Sequence, residues 1–576
     1  MQTIFEKIYD WAASRINPTV VFFFIYAIIL VSPLLYSGVN ALETHDFHFH
    51  KHIIQQMGIA FQGGQFPARI APDMAYGFGY GVGIFYPPLA HWVGYIFSLI
   101  PGFDVHMASA AVYFMIYFFS GYAFYKMMLY IGRTPSAAAI GGLLYMSMPY
   151  LIINVIYRDA YAEAFCFMLL PLIVIGLSKL AREKKFMMLT LSFSAIVMTH
   201  NITAIYTFIF MAIGCLIYYK HFIKRDVIIA GLKAAGLTAL LSLVAIVPII
   251  EHRFFAPDVV YHIFGTAENL KTSVHANALQ FGQLIYWPFG QTGMSWSLFT
   301  EDYHNQLFHN RMPIFIGAHM LLLFLAAILW PSSKQTLRGN LPSIFAAVLL
   351  LFATTAWFPW RLLPYFLLNI QFPWRLLFFA GFLICIVAAD SFSKMSVRNI
   401  KFPMIIIAII GVYYTVRIAS PIPVKPKITP EAAAVIGVDW AVEYNPSPFI
   451  WKSGPLLARG NKPLMQHGHA RVSNFERDRA GRLSFDINAT DGAPDLIELP
   501  LFYYKGYQVL FNSKILPNFA NERGLVTIRV SESGHIKTRY VGTMADRIAT
   551  AISFITLLGI IGYAVVSRRR FTNKSA

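Results

Sequence analysis

The stretch VIIAGLKAAGLTALLSLVAIVPII, residues 227–250, contains a single charged side chain, Lys233, in an otherwise apolar run. A helix rises about 1.5 Å per residue, so this run is long enough to cross the roughly 30 Å hydrocarbon core of a bilayer. A second run, VVFFFIYAIILVSPLLY at residues 20–36, contains no charged residue. Because such runs recur along most of the chain, the sequence predicts a polytopic α-helical membrane protein.

The composition argues against an ordinary soluble protein. Hydrophobic residues occupy 57% of the 576 positions and charged residues 13%, whereas soluble domains contain about 25% charged residues. The formal net charge is +18, but much of it lies in short basic clusters between apolar runs, as orientation signals do. We therefore expect no nucleic-acid partner. The three cysteines all lie within apolar segments, so no disulfide framework is predicted.

The basic clusters predict the orientation of the chain. Those at residues 179–185, 220–225, 393–401 and 568–570 should face the cytoplasm. The apolar runs then predict about twelve spans, with both ends of the chain cytoplasmic. The spans lie near 18–37, 107–131, 135–153, 160–180, 186–219 (two short spans), 227–250, 312–331, 341–357, 374–392, 402–418 and 546–567. A cleaved signal peptide is the alternative for the first of them, although its apolar core would be unusually long.

One apolar segment does not fit a full crossing under this orientation. PPLAHWVGYIFSLIPG, residues 87–102, lies between an exit and the next entry, so we expect an interfacial or re-entrant helix. It belongs to a large outer loop, residues 38–106, of a transmembrane module, residues 1–418. The segment 419–543 contains alternating β-type runs and predicts a small extracytoplasmic β-rich domain. Residues 544–576 then hold the last span and a basic cytoplasmic tail.

Under this orientation the unusual polar residues of the apolar region collect at the outer face. Ionisable groups near membrane depth are costly, which makes them functional candidates. Glu163 follows Asp159 by four residues, so on a helix the two would share a face. Pro373 can begin the helix that carries Arg375. The set comprises His45, Asp46, His48, His50, Arg69, Asp73, Arg158, Asp159, Glu163, His200, Asn201, Glu251, His252, Arg253, Gln371 and Arg375.

The histidine-rich stretch ETHDFHFHKHI, residues 43–53, permits two interpretations. His48 and His52 have the i, i+4 spacing of a helical metal site, which would suit a structural zinc ion. A catalytic divalent ion held by Asp46 and His48 is a second form of the same interpretation. No second cluster at a recognised spacing completes such a site. We therefore favour Asp46 as a catalytic carboxylate, with a divalent metal ion as the alternative and no cofactor required.

The order of these features resembles the GT-C superfamily of integral-membrane glycosyltransferases. The segment FYPPLAHWVGYIFSLIPG, residues 85–102, is similar to the PPL-type motif that follows the catalytic-loop acid in that superfamily. The motifs HDFHFH, YRDAYAE, MTHNITA and QFPWRLL are similar to a bacterial branch labelled 6-pyruvoyl-tetrahydropterin synthase-related membrane proteins. The C-terminal LPLFYYKGYQVLFNSKILP resembles membrane proteins implicated in decorating teichoic acids. Many GT-C members carry paired acids in the outer loop, whereas here FHFH follows Asp46.

The resemblance implies a GT-C-like fold and a sugar donor linked to polyprenyl phosphate. The implied acceptor is an extracytoplasmic cell-surface glycan, teichoic acid or glycolipid. The implied location is the bacterial plasma (inner) membrane, where the protein would contact membrane lipid and hold its active site on the extracytoplasmic face. Whether Asp46 acts alone, or together with Glu163 or Asp73, stays open at this point.

Sugar transfer from a lipid phosphate needs a base for the acceptor hydroxyl and positive charge for the departing phosphate. We expect Asp46 to be the base of an inverting displacement. Arg375 and Arg158 should bind the phosphate, because a guanidinium group presents paired donors. The further candidates for substrate binding are His200, Glu163, His45 and Arg69. A structural ion pair between Asp46 and Arg69 is the alternative for those two residues.

Two other functions are compatible with the sequence. A transporter or flippase of lipid-linked glycans would show charges at mid-membrane and broken helices in matched halves, and the sequence shows neither. A polysaccharide polymerase or ligase would use similar lipid-linked substrates, and the sequence distinguishes such an activity poorly from that of a glycosyltransferase. For the β-rich domain, either glycan binding through Tyr503, Tyr504 and Tyr507 or a structural role as a lid is expected.

Overall fold

The computed structural model describes most of the chain. The described residues are 17–35, 40–42, 44–254, 271, 274–285, 313–426, 434–439, 444–446, 453–489 and 494–572. Within these ranges the protein is mainly helical, with β-sheets in its C-terminal part. This confirms the predicted combination of a helical module and a β-rich region.

Nine helices in the described ranges are long and apolar enough to cross a membrane. They are Pro18–Leu35, Val105–Tyr130, Pro135–Tyr157, Tyr161–Glu183, Arg225–Phe254, Lys334–Ala353, Pro373–Asp390, Lys401–Ala419 and Met544–Ser567. Three shorter apolar helices, Met187–Val197, Asn201–Ile217 and Ala318–Leu329, lie where the sequence predicts further spans. The architecture is compatible with a multi-pass membrane protein, while the count of twelve spans stays a prediction.

The helix predicted for residues 312–331 is shorter than expected. It begins at Ala318 and ends at Leu329. Gly317 has φ +96°, and residues 313–316, directly before it, are not helical. A positive φ of this size is incompatible with a right-handed helix, so the helix begins only after this glycine. Residue 312 lies outside the described part of the chain.

Side-chain caps fix where several spans begin. The Thr19 amide donates to the Asn17 side chain (2.9 Å), and Pro18 follows Asn17 at the first helical position. The Met107 amide donates to Asp104 in the same way (2.9 Å). These side chains satisfy amides that the helix itself leaves without partners.

Two antiparallel helices form the centre of the bundle. In the most apolar 18-residue window of each span, all residues of Pro135–Tyr157 and 94% of those of Pro373–Asp390 are buried, against 28% in the first span and 17% in the last. At one end Arg133 pairs with Asp390 (3.0 Å). At the other end Arg158, just beyond the first central helix, and Arg375, in the first turn of the second, both contact the same carboxylate, that of Glu163. The packing of these two helices therefore brings the predicted phosphate-binding arginines together.

The outer loop contains two helices between the first two long spans. The first, Phe47–Gln62, begins directly after Asp46 and is called the loop helix below. The second, Leu89–Ser98, has ten residues, which is too short to cross a bilayer. The prediction that residues 87–102 do not form a full crossing is therefore confirmed. Before the loop helix, strand Asn40–Leu42 pairs with Val424–Pro426.

The β-rich region consists of two antiparallel sheets. One has the strand order Leu464–His467, Asp495–Phe502, Leu525–Val530 and Asn518–Ala520. The other has the order Arg471–Arg477, Leu483–Asn488, Gly534–Tyr540, Tyr507–Phe511 and Lys514–Leu516. Fully buried apolar side chains from both sheets, among them Phe485, Ile497 and Ile528, form one core between them. The remaining short helical turns are Val82–Phe85, Pro149–Ile152, Ile153–Tyr157 (a π-turn), Tyr219–Phe222, Phe281–Ile285, Trp360–Leu362, Tyr365–Leu368 and Ser453–Arg459.

This β domain is packed directly on the outer loop. The Phe502 amide donates to the Phe78 carbonyl (2.9 Å), and Arg477 donates to the Gly77 carbonyl. A Cβ atom on Gly81 would lie 2.5 Å from the ring of Tyr504, so this close approach requires glycine. Tyr504 is 1% exposed, which places it in the interface and makes it unavailable as a glycan-binding side chain.

Arg69 fastens the outer loop to the last helix. Its guanidinium group pairs with Asp546 through two contacts of 2.6 and 3.1 Å and also donates to the carbonyls of Val244 (2.7 Å) and Gly83 (2.9 Å). Arg69 is 2% exposed. The suggested ion pair between Asp46 and Arg69 is therefore wrong, because Arg69 is bound to a carboxylate near the C-terminus.

We expect Arg69→Met to destabilise the protein strongly. The variant leaves the buried Asp546 carboxylate without its guanidinium partner, and breaking a buried ion pair in this way costs about 3 kcal/mol or more. Thermal unfolding of the purified protein in detergent measures the effect. The matched control is Arg482→Met, which breaks a pair with Asp478 whose side chains are 50% and 39% exposed and should cost about 1 kcal/mol or less. An unfolding temperature of Arg69→Met equal to that of the wild type would contradict this assignment.

Candidate functional site

The site forms at the turn between the spans Pro135–Tyr157 and Tyr161–Glu183. The helix that begins at Pro135 ends in a single π-turn, Ile153–Tyr157, and the next helix begins at Tyr161. Between them Asp159 adopts a left-handed conformation, with φ +55°. The prediction that Asp159 and Glu163 share a helical face is therefore wrong, because the chain is not helical at Asp159 and the two carboxylates bind different partners.

Glu163 joins two buried arginines. Its Oε2 atom contacts Arg158 Nη1 at 3.1 Å and Arg375 Nε at 3.3 Å, and Tyr150 donates its hydroxyl to Oε1 (2.5 Å). The side chains of Glu163 and Arg158 are 4% and 6% exposed, and that of Arg375 is 12% exposed. Two guanidinium groups thus share one carboxylate, which leaves this cluster with a net charge of about +1.

Each arginine is held by further bonds. Arg158 Nη1 donates to the side-chain oxygen of Asn154 (2.5 Å). Arg375 Nη1 donates to the Gln371 side chain (2.7 Å) and to the Ile370 carbonyl (2.8 Å). Within the described residues, however, the buried Nε of Arg158 and the side-chain amide nitrogen of Asn154 have no hydrogen-bond acceptor. Unpaired buried donors are costly, so these two groups favour an acceptor supplied by a ligand.

Asp46 lies beside this cluster at the start of the loop helix. Its backbone amide donates to the Arg158 carbonyl (2.8 Å), and the amide of His45 donates to the Tyr157 carbonyl (2.8 Å). The Asp46 side chain is 33% exposed and contacts the Nδ1 atom of His45 (3.0 Å). Within the described part of the chain it has no lysine or arginine partner, unlike Asp159 and Glu163. Asp46 therefore presents a partly solvent-exposed carboxylate.

The surroundings of Asp46 keep its carboxylate ionised. Burial raises the pKa of Asp46, since desolvation penalises a charge. The attraction and hydrogen bond of His45, together with the positive charge of Arg158, outweigh burial, so that the pKa lies below its usual value. Asp46 is thus a deprotonated, accessible group at neutral pH.

Two further histidines near the site, His50 and His200, are buried in neutral form. His50 Nδ1 lies 3.0 Å from His91 Nε2, and the His50 ring also stacks on Tyr161. Burial lowers the pKa of His50 to about 4. Burial and the positive charge of Arg375 lower the pKa of His200 to about 3. His200 caps the helix Asn201–Ile217 by accepting from the Thr203 amide (3.3 Å).

The structure brings together most of the predicted site residues. Asp46, His45, Arg158, Glu163, Arg375 and His200 are near one another or electrostatically coupled. Arg69 does not contact the Arg158–Glu163–Arg375 cluster, because its guanidinium group is bound to Asp546. Asp73 accepts from the Gln56 side chain (2.9 Å) and so is not paired with Asp46.

Sequence reasoning missed several residues of the site. Lys51, Tyr113, Tyr150, Asn154 and His91 all contribute buried polar contacts. Lys51 and His91 lie within the stretches 43–53 and 85–102, where a polar residue in an apolar setting is a usable signal. Tyr113, Tyr150 and Asn154 lie inside or beside apolar runs, where the sequence does not distinguish them from core residues.

A preformed metal site is not evident in the described residues, where no three His, Cys, Asp or Glu side chains are placed to hold an ion. His48 lies on the loop helix two residues after Asp46. A divalent ion held by Asp46 and His48 would therefore need ligands from the substrate or water. This alternative stays a prediction.

Comparison with models of known protein families gives no match to this chain, and comparison with curated proteins gives none either.

The buried neutral histidines predict that stability falls as the pH is lowered. Below pH about 6.5 the unfolded chain protonates His50, whereas the folded protein resists protonation until the pH reaches about 4. The unfolded state then binds more protons, so stability decreases across this window. We expect His50→Gln to lose less stability than the wild type between pH 7 and pH 5, measured by thermal unfolding.

The matched control for this prediction is His221→Gln, at an exposed position, which should keep the pH dependence of the wild type. If His50→Gln shows the same pH dependence as the wild type, His50 is not buried in neutral form.

Proposed function

We propose that the protein is a membrane glycosyltransferase that moves a sugar from a polyprenyl-phosphate donor to an extracytoplasmic acceptor. One observation carries the proposal. An accessible ionised carboxylate, Asp46, lies beside a buried cluster of net positive charge, Arg158–Glu163–Arg375. This pairs a base with an anion site at one end of a helical bundle.

The charge of the cluster suits a sugar phosphodiester. A polyprenyl-phosphate sugar carries one negative charge on its phosphate, which matches the net charge of about +1 left by two arginines and one glutamate. The Arg158 Nε and Asn154 donors that the described residues leave unpaired are buried, so the phosphate would have to enter the cluster to accept from them. Arginine suits this role, because guanidinium groups form paired, charge-assisted bonds with phosphate.

The reaction follows from these two parts. Asp46 takes the proton of the acceptor hydroxyl, and the resulting oxygen nucleophile attacks the anomeric carbon of the sugar. The bond between that carbon and the phosphate oxygen breaks, and the phosphate leaves with the electron pair as a dianion. Arg158 and Arg375 stabilise this additional charge as it develops. A single displacement of this kind inverts the anomeric configuration and needs only one carboxylate.

The membrane setting is consistent with a lipid donor. The proposed orientation places the Asp46 end of the bundle on the extracytoplasmic face of a bacterial plasma membrane, in a GT-C-like arrangement of about twelve spans. The nine long apolar helices would hold the prenyl chain in the bilayer while its phosphate reaches the arginine cluster. The acceptor would be a cell-surface glycan, a teichoic acid or a glycolipid.

Asp46→Asn should abolish most sugar transfer without unfolding the protein. The amide has nearly the same shape but is not basic, and loss of a general base lowers the rate about 10²- to 10⁴-fold. The measurement is release of prenyl phosphate from a panel of polyprenyl-phosphate hexoses by reconstituted protein, with cell-surface glycans, teichoic acid and glycolipids supplied as acceptors. The matched control is Asp104→Asn, which keeps a capping side chain on an exposed helix terminus and should retain full activity.

The same assay with EDTA distinguishes the two roles considered for Asp46. Transfer that survives EDTA but is lost in Asp46→Asn supports a metal-independent base, whereas transfer lost in both supports a divalent ion held by Asp46. Full transfer by Asp46→Asn would rule out Asp46 as the base. Transport of the lipid-linked sugar without any transfer would favour a flippase.

A further inference from the structure

The carboxylate of Asp159 binds three groups from other parts of the chain. Its Oδ2 atom accepts from the Thr44 hydroxyl (2.7 Å) and pairs with the ammonium group of Lys51. Its Oδ1 atom accepts from the Tyr113 hydroxyl. All four side chains are more than nine-tenths buried. Asp159 is therefore the centre of a buried polar network next to the site.

This network connects the two halves of the site. Thr44 precedes Asp46 by two residues, and Lys51 follows it by five residues on the loop helix. Asp159 directly follows Arg158, and the segment 157–159 also accepts the backbone bonds of His45 and Asp46. The bonds of Asp159 therefore fix the position of the Asp46 carboxylate relative to the arginine cluster.

The backbone at Asp159 supports this role. A left-handed conformation is unfavourable for residues other than glycine, although aspartate and asparagine tolerate it best. Such a conformation persists where surrounding contacts determine it. The Asp159 carbonyl accepts from the Tyr161 amide (2.8 Å), and its side chain is held by Thr44, Lys51 and Tyr113, so the turn that carries Arg158 has one defined geometry.

Stability alone does not account for the buried ion pair between Lys51 and Asp159. A buried ion pair costs desolvation that often equals the attraction between its charges, and apolar residues of similar volume frequently stabilise a protein as well. The network acts on geometry instead. It orders the segment that carries the negatively charged Asp46 relative to the segment that carries the positively charged Arg158.

We propose that Lys51 and Asp159 are positioning residues, which set the distance between the Asp46 carboxylate and the phosphate-binding guanidinium groups. The inference rests on the proposed function. It adds two residues that affect the reaction only through the position of Asp46 relative to the guanidinium groups. Neither is expected to touch the substrate. A small displacement of Asp46 would slow the displacement step strongly, because the rate depends on near-attack geometry.

The test uses Lys51→Met, Asp159→Asn and the double variant in the reconstituted full chain. Each single variant leaves one buried charge without its partner, whereas the double variant removes both charges together. We expect kcat for release of prenyl phosphate from polyprenyl-phosphate hexoses to fall about 10²-fold in each single variant. The apparent KM for the donor should change far less, because Arg158 and Arg375 stay in place.

The double variant separates geometry from stability. With no uncompensated buried charge, its unfolding temperature should recover towards the wild-type value, while kcat stays low because the charged contact between residues 51 and 159 is still missing. The matched control is Asp390→Asn, whose carboxylate is buried and pairs with Arg133 at the opposite end of the bundle. It should lower the unfolding temperature but leave kcat of the folded protein unchanged.

Two results would overturn the positioning role while leaving the proposed function intact. One is wild-type kcat in the single variants, and the other is a kcat that recovers together with the unfolding temperature in the double variant. If the wild type itself releases no prenyl phosphate from any hexose donor, the proposed function fails and the positioning role fails with it.

Discussion

The shared contact of Glu163 with Arg158 and Arg375 is the interaction on which the site depends. Two guanidinium groups at one end of an apolar bundle repel each other, and burial prevents water from screening them. The single carboxylate makes the pair tolerable and leaves one positive charge uncompensated. That remaining charge, together with the unpaired donors of Arg158 and Asn154, is what makes the cluster suited to a phosphate. Arg158 follows the first central helix, Arg375 begins the second, and Glu163 reaches both from the helix Tyr161–Glu183.

The outer loop contributes Asp46 to the site, and the β domain packs on the outer loop. The loop supplies Asp46 and is bound to the bundle by, among other contacts, the network around Asp159 and the pair of Arg69 with Asp546. The β domain packs on the loop through Phe502, Arg477 and Tyr504, which contact Phe78, Gly77 and Gly81. Its described contacts favour a structural role that holds the loop in place, since Tyr504 is buried in the interface.

The sequence predicted the helical class, the β-rich region and the short outer helix, because each follows from the length and spacing of apolar runs. It also singled out Asp46, Arg158, Glu163 and Arg375, since charged residues stand out against an apolar background. Prediction from the sequence failed where the structure depends on contacts between residues far apart in the chain or on an unusual backbone conformation. Arg69 pairs with a residue 477 positions away, and the positive φ of Asp159 interrupts the helical spacing that would have aligned it with Glu163.

Binding of a short-chain prenyl phosphate to the purified protein, measured by titration calorimetry, tests the central claim most directly. If the arginine cluster holds the phosphate, Arg375→Ala should weaken binding about tenfold or more, since it removes charge-assisted hydrogen bonds. Arg361→Ala, at an exposed position of a neighbouring turn, should leave the affinity unchanged. Equal affinity of the wild type and Arg375→Ala would contradict the assignment of the cluster as the phosphate site.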